Sequence, residues 1–176
     1  MPAQNLNSNK EVFVVEKIES FKVDHELLKR GLYVSRKDYD NNTNKVIATT
    51  FDIRMKEPNR EPVINIAEMH TIEHLGATFL RNHPVYKNET IYFGPMGCRT
   101  GFYVIFKGDL DSSDIIDIMK EMFIFIAEYE GEIPGADAKS CGNYLDQNLP
   151  MAKYEADKFY KEVLLNIKEE NLVYPY

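Results

Sequence analysis

Ile64-Asn65-Ile66-Ala67-Glu68-Met69-His70-Thr71-Ile72-Glu73-His74-Leu75-Gly76-Ala77-Thr78-Phe79-Leu80-Arg81-Asn82 is the stretch on which the fold turns. Its length and spacing predict a helix. At about 100° per residue, Ile72, Leu75, Gly76 and Phe79 gather on one side, while His70, Glu73 and His74 gather on the other. A helix so divided presses its apolar stripe into a sheet and aims its polar stripe at a cleft, as a site on a rigid element requires. Neutral imidazoles at i and i+4 can bind one divalent metal. Glu73 falls on nearly the same face, close enough to move a proton beside that metal. The same H-x-x-E-H spacing is the inverted form of the zinc-peptidase motif, so a metallopeptidase is a second reading of these residues.

The segments around this helix read as strands. Glu11 to Val23 alternates in places, Tyr33 to Arg36 looks extended, and Lys45 to Met55 is rich in β-branched residues. Asp38 to Asn44 has the composition of a turn, which makes an antiparallel hairpin of its neighbours. After Asn82-His83-Pro84, Thr90 to Phe93 and Gly101 to Lys107 return to strand, and His83 reads as a loop residue past the helix end. A second helix carries Ile115, Ile116, Met119, Met122, Phe123 and Ile126 on its apolar side, with Ser112 or Ser113 as its N-cap and Gly131 as its stop. Glu132 to Leu149 is irregular. A third helix runs from Met151 to about Lys168. The order β-β-β-α-β-β-α-loop-α predicts an α+β domain, an antiparallel β-sheet with helices packed on one face.

A chain of 176 residues suits one domain. Residues 1–14, polar and asparagine-rich at the start, read as a flexible extension, and 15–176 as the single domain. Twenty-one basic against twenty-eight acidic residues leave a formal charge of −7, with no basic cluster to break it. Nucleic acid and anionic membrane are therefore poor partners. No apolar run approaches the roughly 18–20 residues that span a bilayer, and the N-terminus lacks the pattern of a signal peptide. A cytoplasmic protein is expected, whose two cysteines, Cys98 and Cys141, stay reduced and serve as ligand or catalyst.

Metal sites that do chemistry commonly keep three protein ligands and an open position. Cys141, in the loop Ser140-Cys141-Gly142-Asn143, is a candidate for the third, and a thiolate with two imidazoles suits Zn²⁺, Fe²⁺ or Co²⁺. Cys98 sits in the turn Gly94-Pro95-Met96-Gly97-Cys98-Arg99-Thr100-Gly101. There a nearby cation, the metal or Arg99, would lower its pKa toward neutrality, where it can act as acid and base. An inert thiol in a tight turn fits the same spacing, and a non-catalytic metal-binding domain would explain the His-His-Cys set without using Glu73 or Cys98.

Taken together, several segments resemble the LuxS family of S-ribosylhomocysteine lyases, the autoinducer synthases. They are Glu19 to His25 (ESFKVDH), Phe51-Asp52-Ile53-Arg54, His70 to Leu75, Gly94 to Tyr103 (GPMGCRTGFY) and Cys141-Gly142, in the family's order and spacing. The resemblance implies His70, His74 and Cys141 as ligands of one divalent metal per subunit, typically Fe²⁺, replaceable by Zn²⁺ or Co²⁺. It implies Glu73 and Cys98 as the two proton carriers, and Ser20, His25 and Arg54 as residues lining the pocket for S-ribosylhomocysteine. That pocket forms at a homodimer interface in the family. The implied reaction moves the ribose carbonyl from C1 to C3 through enediolates. β-Elimination then gives homocysteine and 4,5-dihydroxy-2,3-pentanedione, the autoinducer precursor. Where many members of the family have Ile-Asp-Ile-Ser before Pro-Met-Gly-Cys, this chain has Ile91-Tyr92-Phe93-Gly94, which removes a carboxylate acceptor near the ligand.

Overall fold

The computed structural model describes Ile18 and residues 21–176. Four strands, β1 (Gly31–Tyr39), β2 (Val46–Arg54), β3 (Thr90–Pro95) and β4 (Gly101–Lys107), form one antiparallel sheet in the order β1-β2-β4-β3. Helix α1 (Ile66–Asn82) lies between β2 and β3 in the chain, α2 (Ile116–Glu128) follows β4, and α3 (Leu149–Glu162) follows a long loop. The expected α+β arrangement is what forms.

Alternation along the strands decides what lies where. Phe51, Ile53, Phe102, Val104 and Phe106 are fully buried in one core with Ile72 and Leu75 of α1, Met119, Met122 and Phe123 of α2, and Ala156 and Phe159 of α3. Burying each such aromatic or aliphatic side chain contributes roughly 1.5–3 kcal/mol. The intervening residues Thr50, Asp52, Arg54, Tyr103 and Ile105 point to the opposite face by the period of two. The register sets Asp52 beside Tyr103 and Thr50 beside Ile105. Among the described residues, that second face carries no helix. A hollow of about 560 Å³ lies on it, lined by Ile18, Ser35, Arg36, Thr50, Tyr92, Tyr103 and Ile105.

The turn at the head of the first hairpin follows from one side chain. Asp40 Oδ1 accepts hydrogen bonds from the backbone N–H of Asn42 (3.0 Å) and Thr43 (2.7 Å) and from the Thr43 hydroxyl (2.8 Å), and Asn44 takes the left-handed φ of 54°. Asn at such a position is tolerated where most residues are not.

Three expectations are corrected. Phe21 to Val23 form part of a turn, not a strand, with the Phe21 N–H donating to Ile18 O at 2.9 Å. The rest of the expected first strand lies outside the described residues, except Ile18. Val23 instead joins Leu28, Tyr33 and Tyr174 in a second small core. The second helix opens with a 3₁₀ turn, Ser112–Ile115, capped by Asp111 and Asp114 in a reciprocal capping box. Ser112 is occupied elsewhere: its hydroxyl accepts from Val34 N–H at 3.2 Å and donates to Leu172 O at 2.9 Å. The third helix begins at Leu149, with the Asn148 side chain accepting from Met151 N–H, and stops at Glu162. Beyond it, Leu164–Asn166 and Glu169–Asn171 are separate 3₁₀ turns.

Gly76 is where α1 meets β3. A Cβ there would lie 2.5 Å from Phe93 Cε1, and the Phe93 ring is itself stacked on Phe102 with centroids 5.1 Å apart. Alanine would gain up to about 1 kcal/mol of helix propensity, but overpacking a ring that cannot retreat costs about 1–3 kcal/mol. Gly76→Ala is expected to lower the urea midpoint with an unchanged m-value; a raised midpoint would show that the ring moves aside freely.

Candidate metal centre and thiol site

His70, Glu73 and His74 leave α1 on the side away from Ile72 and Leu75, all three half-buried. Across from them the loop after α2 brings Cys141. His70 Nε2 lies 3.0 Å from His74 Nε2 and 3.4 Å from Cys141 Sγ, and the ligand atoms of the three residues all fall within 4.8 Å of one another.

The protons on the two rings are fixed by what faces their other nitrogens. His70 Nδ1 is 2.9 Å from Asp146 O, and His74 Nδ1 is 2.7 Å from Pro134 O. A carbonyl can only accept, so His74 Nδ1 carries the hydrogen, and His70 Nδ1 carries one toward Asp146 O, its nearer partner, with the Gln147 amide nitrogen at 3.2 Å; each Nε2 then presents a lone pair. Two such lone pairs 3.0 Å apart, with a sulfur beside them, repel one another unless a cation sits among them. A tetrahedral ion with bonds of about 2.0–2.1 Å to nitrogen and about 2.3 Å to sulfur sets N···N near ~3.4 Å and N···S near ~3.5 Å. The donor set and its spacing fit a divalent metal.

The loop that supplies Cys141 has no helix or strand of its own, so its position depends on α1. Thr71, fully buried, donates to Gln147 Oε1 at 2.7 Å and accepts from Asn148 N–H at 2.9 Å. Asp137 closes the turn before the cysteine by accepting from Lys139 and Ser140 N–H. Thr71, Asp146 and Pro134 had no signature in the sequence, since two of them act through backbone carbonyls.

Cys98 sits in the β3–β4 turn. Met96 N–H donates to Gly101 O, Arg99 N–H donates to Met96 O, and Arg99 takes a φ of 61°. The thiol is exposed, 3.0 Å from Thr100 Oγ1 and 3.8 Å from an Arg54 guanidinium nitrogen. Partial burial pushes the Cys98 thiol up, but hydrogen bonds from the Thr100 hydroxyl and backbone N–H and the nearby Arg54 charge outweigh it, and the pKa falls below the ordinary thiol value. The cation within reach is therefore Arg54, not Arg99, which lines a hollow with Glu73.

Arg54 is almost wholly buried and forks onto Asp52, which is 0% exposed, with Nε donating to Oδ1 at 3.1 Å and a second nitrogen to Oδ2. A spacing of two on a strand is the signal that could have linked them. His25 is half-buried, its Nδ1 donating to Val23 O at 2.9 Å. Ser20 lies outside the described residues.

Two hollows meet at this turn. One, about 330 Å³, holds His70, Glu73 and Arg99; the other, about 250 Å³, holds His25, Arg54, Cys98, Tyr103 and Tyr174; Met96 and Gly97 line both. The sequence-predicted residues thus fall into two groups on either side of one short segment. Tyr92 is exposed, and its hydroxyl lies over Gly94, where a Cβ would come within 2.0 Å of it. Of the departures from Ile-Asp-Ile-Ser, those at 92 and 94 are one packing change, because a serine at position 94 could not coexist with this placement of Tyr92.

One Co²⁺ per chain is expected to bind at neutral pH and give the near-ultraviolet charge-transfer band of a thiolate ligand. Cys141→Ser should remove that band, while Cys98→Ala should keep it. A band that survives Cys141→Ser would sink the ligand assignment.

The family model for S-ribosylhomocysteinase (LuxS) matches residues 18–170. The chain is similar to the S-ribosylhomocysteine lyases of Clostridium beijerinckii and Finegoldia magna, each 62% identical over 161 residues, and to that of Porphyromonas gingivalis, 59% identical over 161 residues. Each match covers 92% of this chain and 99% of the relative. With the motifs, the fold and the His-His-Cys cluster in agreement with so broad a match, the chain belongs to the S-ribosylhomocysteinase (LuxS) family.

Proposed function

We propose that this chain is a carbon–sulfur lyase that converts S-ribosylhomocysteine to homocysteine and 4,5-dihydroxy-2,3-pentanedione, with one divalent metal, Fe²⁺ in the cell, held by His70, His74 and Cys141 of each subunit. The observation that carries it is the pairing of a three-donor metal cluster with a second, acidified cysteine on the neighbouring turn. An inverted-motif peptidase needs Glu73 and the metal but gives Cys98 no task. A metal-binding domain without catalysis leaves both Glu73 and Cys98 unused.

The chemistry asks for protons to be taken from carbon beside a carbonyl and returned to the next carbon. A divalent ion in the cluster would supply Lewis acidity toward the carbonyl and hydroxyl oxygens of the sugar. Cys98, its thiol made more acidic by Thr100 and Arg54, takes and returns the carbon-bound proton. Glu73 carries protons on the opposite side of the sugar. Once the carbonyl reaches C3, loss of the C4 proton to a base expels the homocysteine sulfur from C5. Ser20, His25 and Arg54 hold the substrate, with Arg54 able to serve as a fixed cation because Asp52 already orients it.

The uncovered sheet face supports a homodimer as the working unit. The sheet face that no helix covers exposes an apolar hollow with Tyr103 and Ile105, and Thr50 Oγ1 on it is buried without a hydrogen-bond partner among the described residues. A second chain on this face would cover it and lend side chains to the site. Residues 15–176 act as one domain in this scheme, with 1–14 as an extension. A reducing cytoplasm is the setting that keeps Cys98 as a thiol, and no helix among the described residues is long and apolar enough to cross a membrane.

Anaerobically prepared, Fe²⁺- or Co²⁺-loaded protein should release thiol from S-ribosylhomocysteine, and Cys98→Ala should lose that release by about 10²-fold or more, the range of general acid–base catalysis, with metal content unchanged. Wild-type rates in Cys98→Ala, or peptide cleavage that survives it, would overturn the assignment.

A further inference from the structure

We infer that Tyr174, a residue of the C-terminal tail, is a positioning residue for Cys98, acting through the buried Asp52–Arg54 pair.

The chain of contacts is continuous. The Tyr174 hydroxyl donates to Asp52 Oδ2 at 2.7 Å. Asp52 has no exposed surface, so its carboxylate depends on Tyr174 and Arg54 for what water would otherwise supply. Arg54 spends two nitrogens on Asp52 and turns the remaining one toward Thr100 Oγ1 and Cys98 Sγ. Each group thereby fixes the next: the phenol holds the carboxylate, the carboxylate holds the guanidinium, and the guanidinium faces the thiol.

The tail is built to keep the phenol in place. The Tyr174 ring stacks on Tyr33 with centroids 4.8 Å apart and planes 12° from parallel. Pro175 O accepts from Asp24 N–H at 3.1 Å, which ties the tail to the segment carrying His25. Burial and the Asp52 charge push the Tyr174 phenol well above the ordinary range, so it stays protonated and remains a donor wherever Cys98 titrates. Tyr174 also lines the hollow that contains Cys98 and Arg54.

The sign of the effect follows from the charges. Without the phenol, more of the Asp52 negative charge is left for Arg54 to neutralise, and the guanidinium is less firmly held against the thiol. Both changes disfavour the Cys98 thiolate. Tyr174 bears on catalysis only if Cys98 is the proton carrier proposed above, but its effect on the thiol can be measured without substrate.

The test is the pH dependence of iodoacetamide alkylation at Cys98 in the Zn²⁺-loaded protein, read by peptide mass. Tyr174→Phe keeps the stacking ring and loses only the hydroxyl. It should move the profile to higher pH and slow alkylation ~3- to 10-fold below the midpoint, one unit of pKa being tenfold, with the same plateau at high pH. Tyr33→Phe disturbs the same tail through its own bonds to the carbonyls of Lys29 and Glu170 and should leave the profile unmoved. Tyr174→Met, which can fill the ring's space without a donor, should shift it as Tyr174→Phe does if the phenylalanine chain does not fold. A folded Tyr174→Phe with the wild-type profile overturns the inference, as does an equal shift in Tyr33→Phe, which would mean general loosening. Absence of thiol release from S-ribosylhomocysteine in the wild type would instead strike the lyase reading and leave the alkylation result standing.

Discussion

The register between β2 and β4 is the constraint from which the rest follows. Phe51 pairs with Val104 and Ile53 with Phe102, while Asp52 pairs with Tyr103 and Arg54 with Gly101. Because side chains alternate, a slip of one residue would drive Asp52 and Arg54 into the aromatic core and turn Phe51 and Ile53 outward. Carrying two ions into the apolar core costs several kcal/mol per ion before their mutual attraction, and Phe51 and Ile53 would lose their burial at the same time, so the slipped form is strongly excluded. Gly101 pins the same register from the other strand. Any Cβ there would lie 2.0 Å from Ile53 O, so no side chain can occupy the position opposite Arg54 without moving the backbone.

With that register set, the sheet divides the labour between its faces. The helix-covered face supplies cohesion and, through Ile72 and Leu75, the rotation of α1 that turns His70, Glu73 and His74 outward. The other face supplies charge. Asp52 and Arg54 are buried there under the C-terminal tail, which contributes apolar cover from Tyr174 and takes Tyr33 as its stacking partner. Replacing such a buried pair by apolar residues often leaves stability unchanged or improves it. What the pair does in this chain is set the Arg54 guanidinium 3.8 Å from the Cys98 sulfur.

Legibility in the sequence tracked how local each signal was. The H-x-x-E-H helix, both hairpins and the β3–β4 turn announced themselves through period and turn composition, and the metal trio became legible once Cys-Gly joined the motif set. Errors arose where a distant contact overrode a local pattern. The alternation ending at Val23 suggested a strand, but Val23 is drawn into the cluster with Leu28, Tyr33 and Tyr174. Ser112 looked like a cap, but its hydroxyl bridges β1 and the tail. Arg99 stood beside Cys98 in sequence, yet its left-handed backbone turns it to the other hollow, and the cation near the sulfur comes from a strand forty-four residues earlier. The carbonyls of Pro134 and Asp146 could not have been found, because any residue offers one.

Tyr92 and Gly94 show how a departure from a family pattern is constrained by packing. With Tyr92 in place, a side chain at 94 meets its hydroxyl; with a serine at 94, the tyrosine must swing away over the open sheet face. A chain moving from Asp-x-Ser to Tyr-x-Gly therefore meets least resistance if glycine comes first, since glycine opposes neither residue at 92. Gly94 is buried on β3, directly before the Pro95 to Thr100 turn, so its replacement would disturb the strand that delivers Cys98. The carboxylate missing at position 92 is then replaced not by another acceptor of equal charge but by a neutral phenol, exposed beside the hollow on the uncovered face. The phenol lines the hollow with Ser35, Arg36 and Ile105 and not the one that holds Cys98, so the exchange alters the open sheet face and leaves the thiol's own neighbours, Thr100 and Arg54, as they are.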